Sequence, residues 1–543
     1  MPNWGIPFEV VPTVRILVVC DTRDGLAAGG YDFARTQSAF DLKIALDAVA
    51  AAPFPWVKFE ILTAHRDSPQ SLDPFGGPAA ATAQYPNFRF DAPPAGLSLA
   101  QVDQVWLFGF GASQDPTHAT PPLSAAELAV LHQFMDQGGG VFATGDHETL
   151  GDLLCGSVKR VREMRTWTRY SGGLPQPPVA GTARHDTLRD KPPGSNYYTF
   201  DNQGDAYPQP IRLKRYTLGY VPSNLIFPKV RQRPHPLLCG LMGPIDVLPD
   251  HMHEGEVVQP NITPGATDWP GNVRPEVIAW CDVIAHDDAS FGPVNGTSFG
   301  AIGAYDGHDA GVGRIAVDST WHHWVQVNLQ GFLTTGTQPG NPAARAKIYN
   351  YFCNVAVWLS PAYALTRMAE AAFIQALLSG GLTETGPIAK LGTYELGLNA
   401  IDVLGRGASL CNLEHFVFQR PGLPLWLVPP HYYGPDPGPW MDWPILEYCA
   451  GAQLKAAAER LQSGQYGLDQ PIDAVRHALQ AAVRTGLSEM AEREAPRLRR
   501  SHDALQELGF RLGQPGGRGW GVRTSEERRL VWDADRNEGE LSD

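Results

Sequence analysis

Nine of the sixteen histidines in the 543-residue chain fall between His147 and His323, together with many carboxylates. The densest group is Pro249-Asp250-His251-Met252-His253-Glu254-Gly255-Glu256, with five titratable groups in seven positions. In extended backbone His251 and His253 project to the same side, which suits two bonds to a divalent metal with carboxylates near to orient the rings. A polar surface loop is the plain alternative. Gly145-Asp146-His147-Glu148 reads as a sharp turn leaving a strand. It presents His147 as general base or metal ligand, with Glu148 beside it and Asp146 also suited to cap the next helix. His322 and His323 lie between Trp321 and Trp324, so one ring is expected to face a cleft while the other packs outward. Asp318 is placed to hydrogen-bond an imidazole or to serve as a buried structural carboxylate. Asp21 ends a strand, and His308, between Asp306 and Asp309, is a weaker candidate, as is His286.

Several motifs are missing. His147-Glu148 does not continue into HExxH, and the chain has no GxxxxGK[ST], no GxGxxG after a strand and no GxSxG. Phosphate-cradling, dinucleotide and serine-hydrolase chemistry thereby lose their usual sequence support, and no nucleotide cofactor is expected. Cys155, in a predicted helix, is expected to pack rather than attack.

These residues need elements to position them. Val14 to Asp21 and Trp56 to Thr63 read as buried strands around a helix from Arg35 to Ala51. Val102 to Gly109 and Val141 to Thr144 add two strands, separated by a helix opened by a Ser124/Glu127 capping box and ended by Gly138 to Gly140. Val277 to Val283 and Arg314 to Ser319 are further strands, and Arg345 to Leu359 is a helix. The alternation implies a doubly wound parallel sheet, with ligands beyond the carboxyl ends of its strands. Arg66 to Leu99 and Gly172 to Pro210 read as Pro/Gly-rich insertions. Beyond Pro361 helical spacing dominates: Tyr363 to Leu378, Glu395 to Leu404, Leu454 to Leu461 and Ile472 to Glu494. The expected division is an α/β domain over 1–360, a helical domain over 361–513 and a charged tail over 514–543.

The order of motifs resembles the trehalose-utilisation (ThuA-like) family, within the class I glutamine amidotransferase-like, flavodoxin-like architecture. LSAAELAVLHQFMDQGGGVFATGDH looks like that family's helix, glycine run and strand, with His147 where amidotransferases hold a cysteine. RPHPLLCG (Arg233 to Gly240) is similar to its HP-x-x-x-G segment. PDHMHEGEV falls where it has an acidic motif, and GRIAVDSTWHH looks like its closing strand. The resemblance covers roughly residues 14 to 359 and implies a link to carbohydrate metabolism. Without a cysteine at the turn, thioester-forming glutaminase chemistry is not expected.

Composition limits the partners. The chain has 43 basic and 57 acidic side chains, a net charge of −14, which repels nucleic-acid phosphates and anionic lipid. The one basic stretch, Lys159 to Arg169, reads as a solvated helix face. Seven widely spaced cysteines without CxxC pairs argue against a disulfide framework and for a reducing compartment. Without a signal-like start or a long apolar run, the chain is expected to be cytoplasmic, so the sequons at Asn261 and Asn295 carry no weight.

These features lead to a hydrolase, isomerase or lyase acting on a small polar metabolite, such as a carbohydrate derivative. His147, Asp146, Glu254 and His323 are the catalytic candidates. Asp21, Glu148, His322 and His308 are assigned to substrate, and His251 and His253 to a divalent metal such as zinc, which would make the reaction a hydrolysis. The rival is a non-catalytic ligand sensor whose C-terminal helices bind a protein partner or a second copy of the chain.

Overall fold

The computed structural model describes residues 11–21, 41–66, 81–109, 121–145, 151–166, 209–222, 228–249, 255–262, 268–271, 273–283, 286–288, 292–294, 296–329, 341–379, 391–405, 417 and 445–512. Six strands run parallel: β1 (Thr13–Asp21), β2 (Lys58–Arg66), β3 (Ala81–Phe88), β4 (Gln104–Gly109), β5 (Gly140–Gly145) and, later in the chain, β8 (Ile315–Asp318). Their order across the sheet is β3-β2-β1-β4-β5-β8. Two further strands, β6 (Glu276–Val283) and β7 (Thr297–Tyr305), extend it antiparallel beyond β8. The expected parallel sheet thus forms the core, and the structure adds an antiparallel flank.

Each β1 residue from Ile16 onward is buried, as a central strand covered on both faces requires. Its side chains alternate between two cores. Val18 and Cys20 join Trp106, Phe108 and Phe142 on one face, and Leu17 and Val19 join Leu107, Val141 and Val317 on the other. Helices α1 (Lys43–Ala50) and α4 (Pro342–Trp358) cover the first face, and α2 (Ala125–Asp136) and α3 (Asp152–Cys155) the second. The first face is aromatic at its centre: the Trp324 ring lies 4.6 Å from Phe142, 5.4 Å from Trp106 and 4.5 Å from Phe352. Such pairs add about 0.5–1.5 kcal/mol each beyond the area they bury.

The capping box forms as expected: Ser124 Oγ accepts from Glu127 N, and the Glu127 carboxylate accepts from Ser124 N. Glu127 also receives a two-pronged bond from Arg66, Nε to Oε1 at 3.0 Å and Nη2 to Oε2 at 2.8 Å, with both side chains fully buried. This ties the end of β2 to the start of α2.

Within the segment read as an insertion, β3 adds an edge strand parallel to β2. Among the described residues of the basic stretch, two arginines are not solvated. Arg160 and Arg165 are each 1% exposed.

From Pro361 onward the described elements are helical: α5 (Ala362–Leu378), α6 (Thr393–Gly405), α7 (Ile445–Gln462) and α8 (Ile472–Leu512). α6 and α7 meet backbone to backbone, because a Cβ on Gly451 would lie 1.8 Å from Thr393 O and one on Gly397 1.7 Å from Glu447 O. The apolar cluster on the first sheet face continues into α5, α6, α7 and α8. No helix among the described residues is long and apolar enough to cross a membrane. Cys239 is disulfide-bonded, a single bond rather than a framework. Cys20, Cys155, Cys281, Cys353 and Cys449 are free and buried.

Candidate functional site at the carboxyl rim of the sheet

The chain leaves β1 first toward β2 and β3, then returns to its other side for β4, β5 and β8. The gap between β1 and β4 is thus a topological switch point, where loops diverge and a ligand has room. At this rim Asp21, Gly109 and Gly145 stand level on adjacent strands. Gly151, at φ 62°, starts α3 against β4, and a Cβ on Gly109 would sit 2.7 Å from its carbonyl oxygen. These glycines let α3 come down onto the strand ends.

α3 brings Asp152 and Cys155 to the rim, both buried. Burial pushes the Cys155 thiol up to about 12, opposed by Arg165 and reinforced by the Asp21 and Asp152 charges. It stays protonated at neutral pH and packs, with Sγ 3.7 Å from Thr144 O. Arg165 lies across the end of β5 and donates from Nη2 to Gly145 O at 3.3 Å. It is held there by pairing with Val257 in the two-residue strand Glu256–Val257, which itself pairs with Gly300 of β7.

The opposite face of the same rim carries the histidines. β8 ends at Asp318, and Thr320 caps the short turn Trp321–His323 by accepting from His322 N. This folds His323 back so that its Nδ1 lies 2.7 Å from Asp318 Oδ1, both side chains fully buried. Asp318 Oδ2 accepts from Trp324 Nε1 at 3.2 Å and from the Tyr351 hydroxyl at 3.0 Å. An ionised carboxylate accepts all three bonds, with His323 donating from Nδ1. Burial, and then the Asp318 charge, push the Tyr351 phenol well above its usual range, so it remains a donor. Thr144 stands one position past the last pairing of β5 with β8, Val317 with Ala143, level with Asp318. Its Oγ1 is buried and has no hydrogen-bond partner among the described residues.

Both histidines are buried, so neither packs outward as expected. His322 stacks on Trp321, with centroids 4.4 Å apart, and its Nδ1 lies 3.0 Å from Asn328 Oδ1. Asp21 and the Asp318–His323 pair share the rim but lie on opposite faces, with β4 and β5 between their strands. His308 is elsewhere: it follows β7 at the edge where β8 begins. Burial, then the Arg314 charge, lower it to about 3, so it is neutral at physiological pH. His235, in the HP segment, has a local task. Its Nδ1 accepts from Leu237 N and its ring packs edge-on against Trp358 at 5.1 Å.

Asp146, His147, Glu148, His251, His253 and Glu254 lie outside the described residues. Among the described residues no group of three or more His, Cys, Asp or Glu side chains is gathered to hold a metal ion. Arg165, Asp152, Thr144, Tyr351 and Asn328 were not singled out from sequence. Arg165 was hidden by its basic neighbours, whereas Asp152 and Thr144, near the strand ends, had a usable positional signal. Compared with models of protein families, with curated proteins and with solved structures, the chain matches none.

Proposed function

We propose that the protein is an enzyme acting on a small polar metabolite, of the carbohydrate-derivative class, by acid/base chemistry at the carboxyl rim of its sheet. The observation that carries this reading is the Asp318–His323 contact of 2.7 Å at a strand end. The carboxylate fixes the imidazole's tautomer and orientation and stabilises the imidazolium that forms when Nε2 takes a proton, which is what a general base requires. His147, Asp146 and Glu254 complete the catalytic set in this reading, with Asp21, Glu148 and His322 toward substrate. Supporting it, the described residues flanking the two histidine motifs converge. Gly145, which precedes Asp146, is bonded by Arg165, and Arg165 pairs with Val257, three residues after Glu254. A divalent metal such as zinc at His251 and His253 belongs to the same proposal; when bound it would supply a water of lowered pKa.

The finer fold is proposed on similar grounds. The inner parallel strands β2-β1-β4-β5-β8 follow the flavodoxin-like order, with β3 added outside β2. This order supports kinship with the ThuA-like family.

The test is a thermal-shift screen of the full chain against sugars, sugar acids and polyols, followed by turnover of the stabilising compounds. His323→Gln should lower turnover by at least about a hundredfold, the contribution of a general base. Turnover that survives this substitution would sink the assignment, and a ligand bound without turnover would favour the sensor. Metal analysis of protein purified without chelator, repeated on His147→Ala and His253→Ala, tests the metal: stoichiometric metal lost in both variants is the expected result.

A further inference from the structure

The edge of the sheet opposite this rim, where the parallel strands begin, carries buried polar groups that the proposed reaction does not use. Tyr305 ends β7 and pairs with Ile315, the first residue of β8, which pairs in turn with Val141 near the start of β5. Its side chain is fully buried, packed edge-on against Trp269 with centroids 4.9 Å apart. Its hydroxyl has no hydrogen-bond partner among the described residues. Arg160 is 1% exposed and sits next to Trp269 through a bond from its Nε to Asp268 O. A second bond, Nη2 to Asp136 Oδ1 at 2.8 Å, holds the guanidinium from the same edge. Nη1 is buried and has no partner among the described residues.

The backbone holds this arrangement at a cost. Arg160 has φ 67° and ψ −50°, a conformation that residues other than glycine rarely take. Such a conformation is strained and persists where the surroundings enforce it, commonly at ligand clamps. The neighbouring charges are already engaged. Asp306 is paired with Arg314, Nε to Oδ1 at 2.7 Å, and Glu163 accepts from Trp269 Nε1. Asp136 is shared by Arg160 and Lys159. Burial raises the Tyr305 phenol, with the Arg160 charge acting the other way, so its hydroxyl remains a donor at neutral pH.

Two buried donors, one of them charged, thus lack an acceptor among the described residues: Tyr305 packs on the Trp269 ring, Arg160 is bonded to the carbonyl of the residue before it, and the Arg160 charge acts on the phenol. We propose that Arg160 Nη1 and the Tyr305 hydroxyl form a second site, at the amino edge of the sheet, that takes the oxygens of a small oxyanion, a phosphate or a carboxylate. The chemistry is that of a charge-assisted bond from a guanidinium, strengthened by exclusion of water, with the tyrosine as a neutral second donor. Asp136 and the Asp268 carbonyl orient the guanidinium and leave Nη1 for the ligand.

Isothermal titration of the full chain with inorganic phosphate, acetate and chloride tests this. One oxyanion should bind per chain, and the phosphate and acetate arms tell the two ligand types apart. Tyr305→Phe keeps the ring on Trp269 and should weaken binding by about fivefold or more, and Arg160→Gln by about tenfold or more, as lost bonds of these kinds require. Arg212→Gln, an exposed site, should bind as the parent does. Absence of phosphate and acetate binding in the parent overturns the proposal, as does unchanged binding in Tyr305→Phe. Should Arg160→Gln fail to fold, the tyrosine variant decides alone.

Discussion

Replacing Asp318 by asparagine would leave His323, Trp324 and Tyr351 around a neutral amide that cannot accept from all three. The cost should be on the order of 3 kcal/mol, because the charged acceptor of three buried bonds is lost and a buried donor is left unsatisfied. Tyr351→Phe removes a single donor and should cost about 1 kcal/mol. Denaturant midpoints measure both, and equal losses would show that the carboxylate is not the hub. His308 makes the second prediction at this scale. Its folded pKa of about 3 lies below the ordinary value of 6.5. The unfolded chain therefore binds more protons between these values, and stability present above pH 6.5 is lost as pH falls toward 3. His308→Gln should flatten the stability curve in that window, and an unchanged curve would contradict the buried, neutral ring. At this scale the sequence was informative where spacing was short. Asp318 was readable as a partner for a neighbouring imidazole because the two lie five positions apart across one tight turn. Arg160 and Arg165 were not, since what buries them comes from Asp268, Asp136 and Val257, distant in the chain.

Among elements, the Ser124 cap and the Arg66–Glu127 pair hold α2 on the end of β2. Burial alone would raise the Glu127 carboxyl, but the Arg66 bonds, the Ser124 amide and the charges of Arg66 and Arg89 hold it below its usual range. A depressed carboxylate stabilises above the unfolded pKa and is lost as pH falls through the folded one, so acid should release α2. Glu127→Ala should cost about 3–5 kcal/mol at neutral pH, since it strands a buried guanidinium. A loss below about 1 kcal/mol, the usual value for exposed pairs, would refute the burial. Gly451→Ala tests the α6–α7 contact: its Cβ meets the Thr393 carbonyl, so the helices must part, at about 1–3 kcal/mol by thermal or denaturant unfolding. β1, β2, β4, β5 and α2 were legible because apolar runs and a local cap declare them. β3, sequence ATAQYPNF, was missed because an edge strand is only half covered and tolerates glutamine, asparagine and proline. β7 was missed because Gly300 and Gly303 replace the bulky residues that mark a strand. Those glycines are required where a Cβ would lie 2.0 Å from Val257 O and 2.7 Å from its side chain.

For the whole molecule, the βαβ alternation indicated a parallel core and the loss of strand signal after Pro361 indicated helices, because both patterns repeat over many residues. The antiparallel flank was not legible, since strand direction depends on where loops lead rather than on strand composition. Cysteine spacing argued against a framework but could not show a single bond, because pairing depends on proximity in the fold: Cys239 is disulfide-bonded although no CxxC motif announces it. That bond should be detectable in the intact protein. Denatured without reductant, the chain should titrate two fewer thiols than the seven of the reduced form, and Cys239 should resist alkylation until reduced. Reduction should lower stability by about 2–4 kcal/mol, the usual contribution of a disulfide closing a loop in a folded chain. Such bonds persist in oxidising compartments, so the same measurement on protein isolated with thiols trapped at lysis bears directly on where the chain resides. Seven free thiols under those conditions would mean that the bond is not made in the cell, and would restore the reducing environment that cysteine spacing alone suggests.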